Sequence, residues 1–280
     1  MSLQFASELK ERLRSGERLV ADGAMGSELI RSGIAPEEVL QANLSQPETV
    51  RAIHDHYLAA GAAILTANTF GLRTEADWPG VLRGGLQLSV GAVRASHCEA
   101  SVWASFVADI VHSEIETLRF VAAHEAYWPD ALLIETCTSL DAALTATRLA
   151  RALPISLLAV TCHFRADALM PDATTPEEAA RALTEAGADI VGGNCGEIPD
   201  AFIEVAARMR AVTDTPLLFQ PSAGLPAQDA EGHWGYPVTA AEFAEVGMRL
   251  FAAGANIVGG CCGTTPTYIA ALRQRDSTGH

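Results

Sequence analysis

The sequence predicts an α/β protein built as a single (β/α)8 barrel of the TIM type, and three observations carry that prediction. The chain has 280 residues, a length suited to one such barrel. Eight short apolar, β-branched runs recur along it with helix-like segments between them. Three helix-to-strand junctions, around Gly61, Gly187 and Gly254, repeat one pattern of helix end, glycine and buried strand. Strands apolar on both faces, alternating with helices, imply a parallel sheet covered by helices, and eight such units close most simply into a barrel.

The predicted strands, in order, are Arg18–Ala21, Ala62–Thr66, Val102–Phe106, Ala131–Glu135, Ile155–Thr161, Asp189–Gly193, Pro216–Gln220 and Asn256–Gly260. Helix starts are marked by Ser45-Gln46-Pro47-Glu48, Thr175-Pro176-Glu177-Glu178 and Thr239-Ala240-Ala241-Glu242, where a hydroxyl and a following Glu can cap the first turn. The three junction glycines suit the left-handed position that ends a helix. Trp78-Pro79-Gly80 and Gly84-Gly85 are expected to interrupt the pattern between Arg73 and Asp130. A doubly wound open sheet is the competing fold. It is disfavoured because Asp22-Gly23-Ala24-Met25-Gly26 lacks the spacing of a dinucleotide loop and no Walker sequence is present.

Composition narrows the function. Apolar residues make up 49% of the chain and charged residues 19%, as in a globular enzyme. A net charge of −15 without a Lys/Arg cluster argues against nucleic acid and anionic membranes as partners. The longest apolar stretch, 57–67, is well short of the ~18 residues of a spanning helix, and no signal peptide is evident. A cytoplasmic enzyme with reduced thiols is expected. Met1–Leu3 reads as an extraneous leader and 276–280 as a frayed tail, with the rest one domain. Nothing in the sequence sets an oligomeric state.

A barrel of this kind places its chemistry at the C-terminal ends of the strands. The polar residues there are Asp22, Asn68, Thr69, Glu135, Thr136, Cys162, His163, Asn194, Cys195, Gln220, Ser222, Cys261 and Cys262. Of the six cysteines, Cys98, Cys137 and Cys162 are expected as packing residues, because a free thiol is a small hydrophobe. Cys195, in Gly192-Gly193-Asn194-Cys195-Gly196, and the pair in Gly259-Gly260-Cys261-Cys262-Gly263 are different, since a vicinal cysteine pair at a catalytic rim is a poor use of core volume. Zinc accepts thiolates at about 2.3 Å and prefers four ligands, so three cysteines leave one position for a substrate sulfur. His163 is expected as a hydrogen-bonded support, and His54 and His56, two apart on a helix, share no face. Trp234, in Trp234-Gly235-Tyr236-Pro237, either covers the site or packs on the barrel.

Together, Gly-Gly-Cys-Cys-Gly-Thr-Thr-Pro at 259–266, Gly-Gly-Asn-Cys at 192–195, Asp22-Gly23-Ala24-Met25-Gly26-Ser27-Glu28-Leu29, Thr66-Ala67-Asn68-Thr69-Phe70-Gly71 and Leu133-Ile134-Glu135-Thr136 resemble the homocysteine S-methyltransferase family, zinc enzymes of the betaine– and S-methylmethionine–homocysteine type. The resemblance runs from about Leu19 to Leu272. It implies that Cys195, Cys261 and Cys262 ligate Zn2+ and that homocysteine thiolate takes the fourth place. It further implies that Asp22 and Glu135 hold the amino group, that backbone amides near Gly23 and Ala24 receive the carboxylate, and that Asn68 contacts substrate.

The implied reaction is methyl transfer from a sulfonium or ammonium donor to homocysteine, giving methionine, with S-methylmethionine or S-adenosylmethionine as the favoured donor. No cobalamin or folate domain is expected. Where the family carries a Gly-Ser-Ile/Val-Gly-Pro segment after strand three, this chain reads Ala104-Ser105-Phe106-Val107-Ala108-Asp109. That departure leaves a different donor or acceptor thiol open. Two other classes stay open at this stage, a zinc hydrolase and a non-catalytic thiol binder.

Overall fold

The computed structural model describes residues 2–72, 78–108, 128–228 and 234–278. Eight parallel strands form one sheet: β1 (Leu19–Val20), β2 (Ile64–Ala67), β3 (Ser101–Phe106), β4 (Ala131–Cys137), β5 (Leu158–Cys162), β6 (Ile190–Cys195), β7 (Leu217–Pro221) and β10 (Ile257–Val258). Their order is β1-β10-β7-β6-β5-β4-β3-β2, and a parallel bridge from Ala21 to Ile64 joins the two ends into a closed barrel. A small antiparallel hairpin, β8 (Ala227–Gln228) with β9 (Trp234–Gly235), lies in the segment after β7. All eight predicted strands are found, displaced by a few residues at most.

The helices are α1 (Ser2–Arg14), α2 (Met25–Arg31), α3 (Ala42–Ser45), α4 (Pro47–Ala59), α5 (Trp78–Ser96), α6 (Leu140–Ala150), α7 (Pro176–Glu185), α8 (Ala201–Arg210), α9 (Ala240–Ala252) and α10 (Pro266–Thr278). Full capping boxes start α7 (Thr175 with Glu178) and α9 (Thr239 with Glu242), as the sequence predicts. At α4 the prediction needs correcting. Gln46, not Ser45, is the N-cap, without a side-chain bond, and Ser45 turns back to the Gln41 carbonyl. Gly61, Gly187 and Gly254 take φ of +91°, +103° and +105° and end α4, α7 and α9.

Gly84 and Gly85 do not interrupt anything; α5 runs through both. A Cβ on Gly85 would lie 2.8 Å from Asn43 Nδ2 and 3.0 Å from the Asn68 carbonyl, so the pair is small to let α5 approach that loop. Asp276, assigned to a fraying tail, is buried within α10 beside Arg273 and Arg18.

Two apolar clusters organise the core. One fills the space between strands and helices. The other fills the lower barrel interior with Leu19, Ala21, Ile64, Trp103, Leu133, Ala159, Ile190, Leu218 and Ile257, and Leu9 and Leu13 of α1 pack onto it. Strand side chains alternate. Two residues beyond this apolar layer, Thr66, Ser105, Glu135, Thr161 and Gln220 therefore face inward, as does Asn194 four beyond Ile190. The interior changes from hydrocarbon to polar toward the C-terminal mouth. Among the described residues no helix is long and apolar enough to cross a membrane.

Candidate metal centre and active site

Three thiols meet at the mouth. Cys195 ends β6, Cys261 and Cys262 follow β10, and β7 lies between those strands. Cys195 Sγ is 3.4 Å from Cys261 Sγ, which is 3.9 Å from Cys262 Sγ, and all three sulfurs lie within 4.8 Å of one another. A tetrahedron with zinc–sulfur bonds of about 2.3 Å has edges of about 3.8 Å, so the trio fits a zinc ion. The three thiols share charge unevenly: hydrogen bonds from Cys195 and then Cys261 draw the Cys262 thiol down to about 3, while hydrogen bonds with Cys195 and Cys262 push Cys261 well above its usual range. All three ionise together only with a cation among them.

The backbone around the thiols is fixed from several sides. The Cys261 amide donates to the Pro221 carbonyl at 2.9 Å, Ser222 donates to the Cys195 carbonyl at 2.9 Å, and Gly260 donates to the Asp22 carbonyl at 2.8 Å. A Cβ on Gly192 would lie 1.8 Å from the Leu218 carbonyl oxygen and one on Gly260 2.2 Å from Thr264 Oγ1, so neither position admits a side chain. Cys195 itself has φ +65°, and Thr136, beside the substrate-binding candidate Glu135, has φ +58°. A β-branched residue in that region is strained and persists only when neighbours hold it. Asn194 supplies the hold. Its Oδ1 accepts from the Thr136 amide at 2.8 Å, and its Nδ2 donates to Thr136 Oγ1 at 2.8 Å.

The predicted substrate residues divide on inspection. Glu135 lines a cavity of about 390 Å³ that also reaches the three cysteines, Gly23 and Ala24. Its carboxylate accepts from the Ser105 hydroxyl and from Asn194 Nδ2, and burial pushes it up to about 7. Asp22 is buried behind that wall rather than on it. Its oxygens accept from the Thr66 amide at 2.6 Å and the Thr66 hydroxyl at 3.0 Å, and burial pushes it up to about 8 against those bonds. Asn68 lines the cavity, yet both of its N–H groups are used, by the Val39 carbonyl and by Asn43 Oδ1. The Ala24 amide donates to Thr264 Oγ1 at 3.2 Å. The Gly23 amide makes no hydrogen bond among the described residues.

Several supporting residues escaped sequence reasoning. Tyr57, buried on α4, donates its hydroxyl to the Ala24 carbonyl at 3.0 Å and contacts the Thr264 carbonyl at 3.3 Å, tying the loop after β1 to the loop after β10. Ser27 Oγ accepts from the Gly263 amide at 3.1 Å, and the Tyr236 ring lies over Gly263. These are long-range contacts with no local signature. His163 does not line the cavity, and the Trp234 side chain lies outside the described residues. Cys137 and Cys162 are buried as predicted, whereas Cys98 is exposed, correcting its assignment to packing. His54 is buried and His56 exposed on α4, in keeping with their separate faces.

Comparison with known proteins matches this geometry to a family. The homocysteine S-methyltransferase profile matches residues 19–275. The methionine synthase of Mycobacterium leprae is 28% identical over 98% of this chain, which spans only 26% of that protein's length. The S-methylmethionine–homocysteine S-methyltransferase BHMT2 of Pongo abelii is 25% identical over 94% of this chain and 80% of its own. Among solved structures, the metallated homocysteine methyltransferase MmuM from Escherichia coli has the same fold, with a TM-score of 0.76 at 22% identity over 92% of this chain and 96% of its own. A profile match across nearly the whole barrel, including all three mouth cysteines, establishes that the chain belongs to the homocysteine S-methyltransferase family.

Proposed function

We propose that this protein transfers a methyl group from a sulfonium or ammonium donor to the thiol of homocysteine, giving methionine, with a zinc ion held by Cys195, Cys261 and Cys262. The observation that carries the reading is the three-sulfur cluster opening into the same cavity as Glu135. Zinc, when bound, supplies a low thiol pKa, so that a substrate sulfur whose ordinary pKa is near 8.5 is held deprotonated at neutral pH.

The chain's own groups set the geometry. Glu135 receives the substrate ammonium, with the Asp22 carboxyl buried behind it, and the Gly23 amide is available to the carboxylate. Asn68 shapes the wall. The substrate sulfur then forms a bond to the donor methyl carbon as that carbon's bond to the donor sulfur or nitrogen breaks. The bonding electrons leave with a neutral thioether or amine, and holding both reactants in line provides much of the rate. S-methylmethionine is the favoured donor because a relative covering most of its own length is named for it. The free cysteines suit a reducing compartment, and we place the protein in the cytoplasm.

The test is zinc content of reduced protein, wild type beside Cys261→Ser, with transfer of labelled methyl from S-methylmethionine to homocysteine on the same samples. Stoichiometric zinc and transfer, both lost in the variant, are expected. A wild type without zinc would overturn the metal reading, and zinc without transfer would move the search to other donors and thiols.

A further inference from the structure

The end of β7 is the seam between the two cysteine segments. The Pro221 carbonyl accepts from the Cys261 amide, and the next two amides of the seam reach to opposite sides: Ser222 donates to the Cys195 carbonyl and Ala223 to the Cys262 carbonyl, each at 2.9 Å. The main chain alone therefore holds Ser222 between the sulfur-bearing loops. Its side chain is buried, and its hydroxyl hydrogen-bonds to the sulfurs of both Cys195 and Cys262. The Cys261 sulfur has its hydrogen bonds with the other two thiols. All three sulfurs line the substrate cavity and Ser222 does not, so the hydroxyl meets the sulfurs without meeting the ligand.

A metal held by three thiolates and receiving a fourth sulfur carries an excess of negative charge, and an O–H aimed at a coordinating sulfur draws part of that charge away. A serine hydroxyl can donate or accept, but a metal-bound thiolate has no proton to give, and this fixes the direction of the bond. We infer that Ser222 is a positioning residue for the metal: its O–H, donated to the thiolates of Cys195 and Cys262, strengthens the hold on the ion and limits the charge those two sulfurs place on it. This inference rests on the reading of the three cysteines as zinc ligands. Gln220 and Ser222, two apart at the end of one strand, then have separate places: the first lines the cavity, and the second stands by the sulfurs.

The test compares reduced wild type, Ser222→Ala and Ser222→Thr, the last keeping the hydroxyl. Alanine is the smaller residue and keeps the amide bond to Cys195, so the fold is retained. Zinc affinity is measured by competition with a chromophoric chelator, the sulfur-to-metal charge-transfer band is recorded with Co2+ in place of zinc, and melting temperatures are taken without metal. Ser222→Ala loses about ten- to a hundredfold in zinc affinity, as expected when a group bonded to a metal ligand is removed. Its Co2+ band moves to longer wavelength, because a sulfur without its hydrogen bond gives up an electron more easily. Ser222→Thr stays close to wild type in both, and the three metal-free melting temperatures agree. An alanine variant with wild-type affinity and an unmoved band overturns the role of Ser222. So does one that loses affinity and metal-free stability together while the band stays in place, since the side chain would then only pack the seam. A wild type that binds neither ion overturns the zinc reading itself.

Discussion

The two ends of the barrel interior are built from opposite materials. The floor is hydrocarbon, with Trp103, Leu133, Ile190, Leu218 and Ile257 closed over by Leu9 and Leu13. The mouth is polar, with buried carboxylates, two non-glycine residues at positive φ and three adjacent sulfurs. Apolar burial stabilises the fold without direction, whereas each buried polar group at the mouth is stable only with its partners in place. Stability and chemistry are therefore separated along the barrel axis, and substitutions can test how completely.

The largest effect on stability should come from the floor. Trp103→Ala removes a side chain that is 1% exposed and should lower unfolding free energy by about 3–5 kcal/mol in denaturant titration, with the homocysteine dissociation constant unchanged. A shift in that constant would show that the two ends are coupled. Asn194→Ala should cost somewhat less, about 3 kcal/mol, and should act at both levels. It releases Thr136 from its strained conformation and leaves Glu135 with one partner fewer, so calorimetry should show weakened homocysteine binding as well. Unimpaired binding would mean that Glu135 needs no support.

The smallest effect over the range from pH 7 to 5 concerns a polar residue outside the mouth. His54 is buried in α4 with neither ring nitrogen bonded among the described residues, and burial lowers its pKa to about 4 from an ordinary 6.5. The unfolded chain binds the proton first, so this residue's contribution to stability is complete above pH 6.5 and is lost as pH falls from there toward 4. The loss amounts to roughly 3 kcal/mol when complete at low pH, and about half of it has developed by pH 5.3. The stability difference between wild type and His54→Leu, followed from pH 7 to 5, should change with this sign. A parallel pair of curves would contradict it.

The barrel was legible in the sequence because buried parallel strands announce themselves as short apolar runs, and because Gly61, Gly187 and Gly254 mark the junctions. The sulfur cluster was legible for a different reason, its glycine-embedded motif. What could not be read depends on residues far apart in the chain meeting in space. Gly84 and Gly85 resemble helix breakers until Asn43 is seen against them, and nothing in the first helix reveals that Leu9 and Leu13 close the floor. Ser222 was visible as a polar strand end. Only the hydrogen bonds around it show that it meets the sulfurs, and Ser105, in the segment that departs from the family pattern, proves to be the partner of Glu135.

The glycines beside the cysteines set a boundary on how this protein can change. At positions 192, 259 and 260 any added carbon collides with backbone or with a buried hydroxyl, so these sites are closed to sequence drift whatever metal or substrate is involved. Variation in substrate preference has to be explored elsewhere on the rim, through side chains on β2, β3 and β7, while the sulfur-bearing segments stay fixed. Evolution can retune what this barrel accepts with little access to how it activates it.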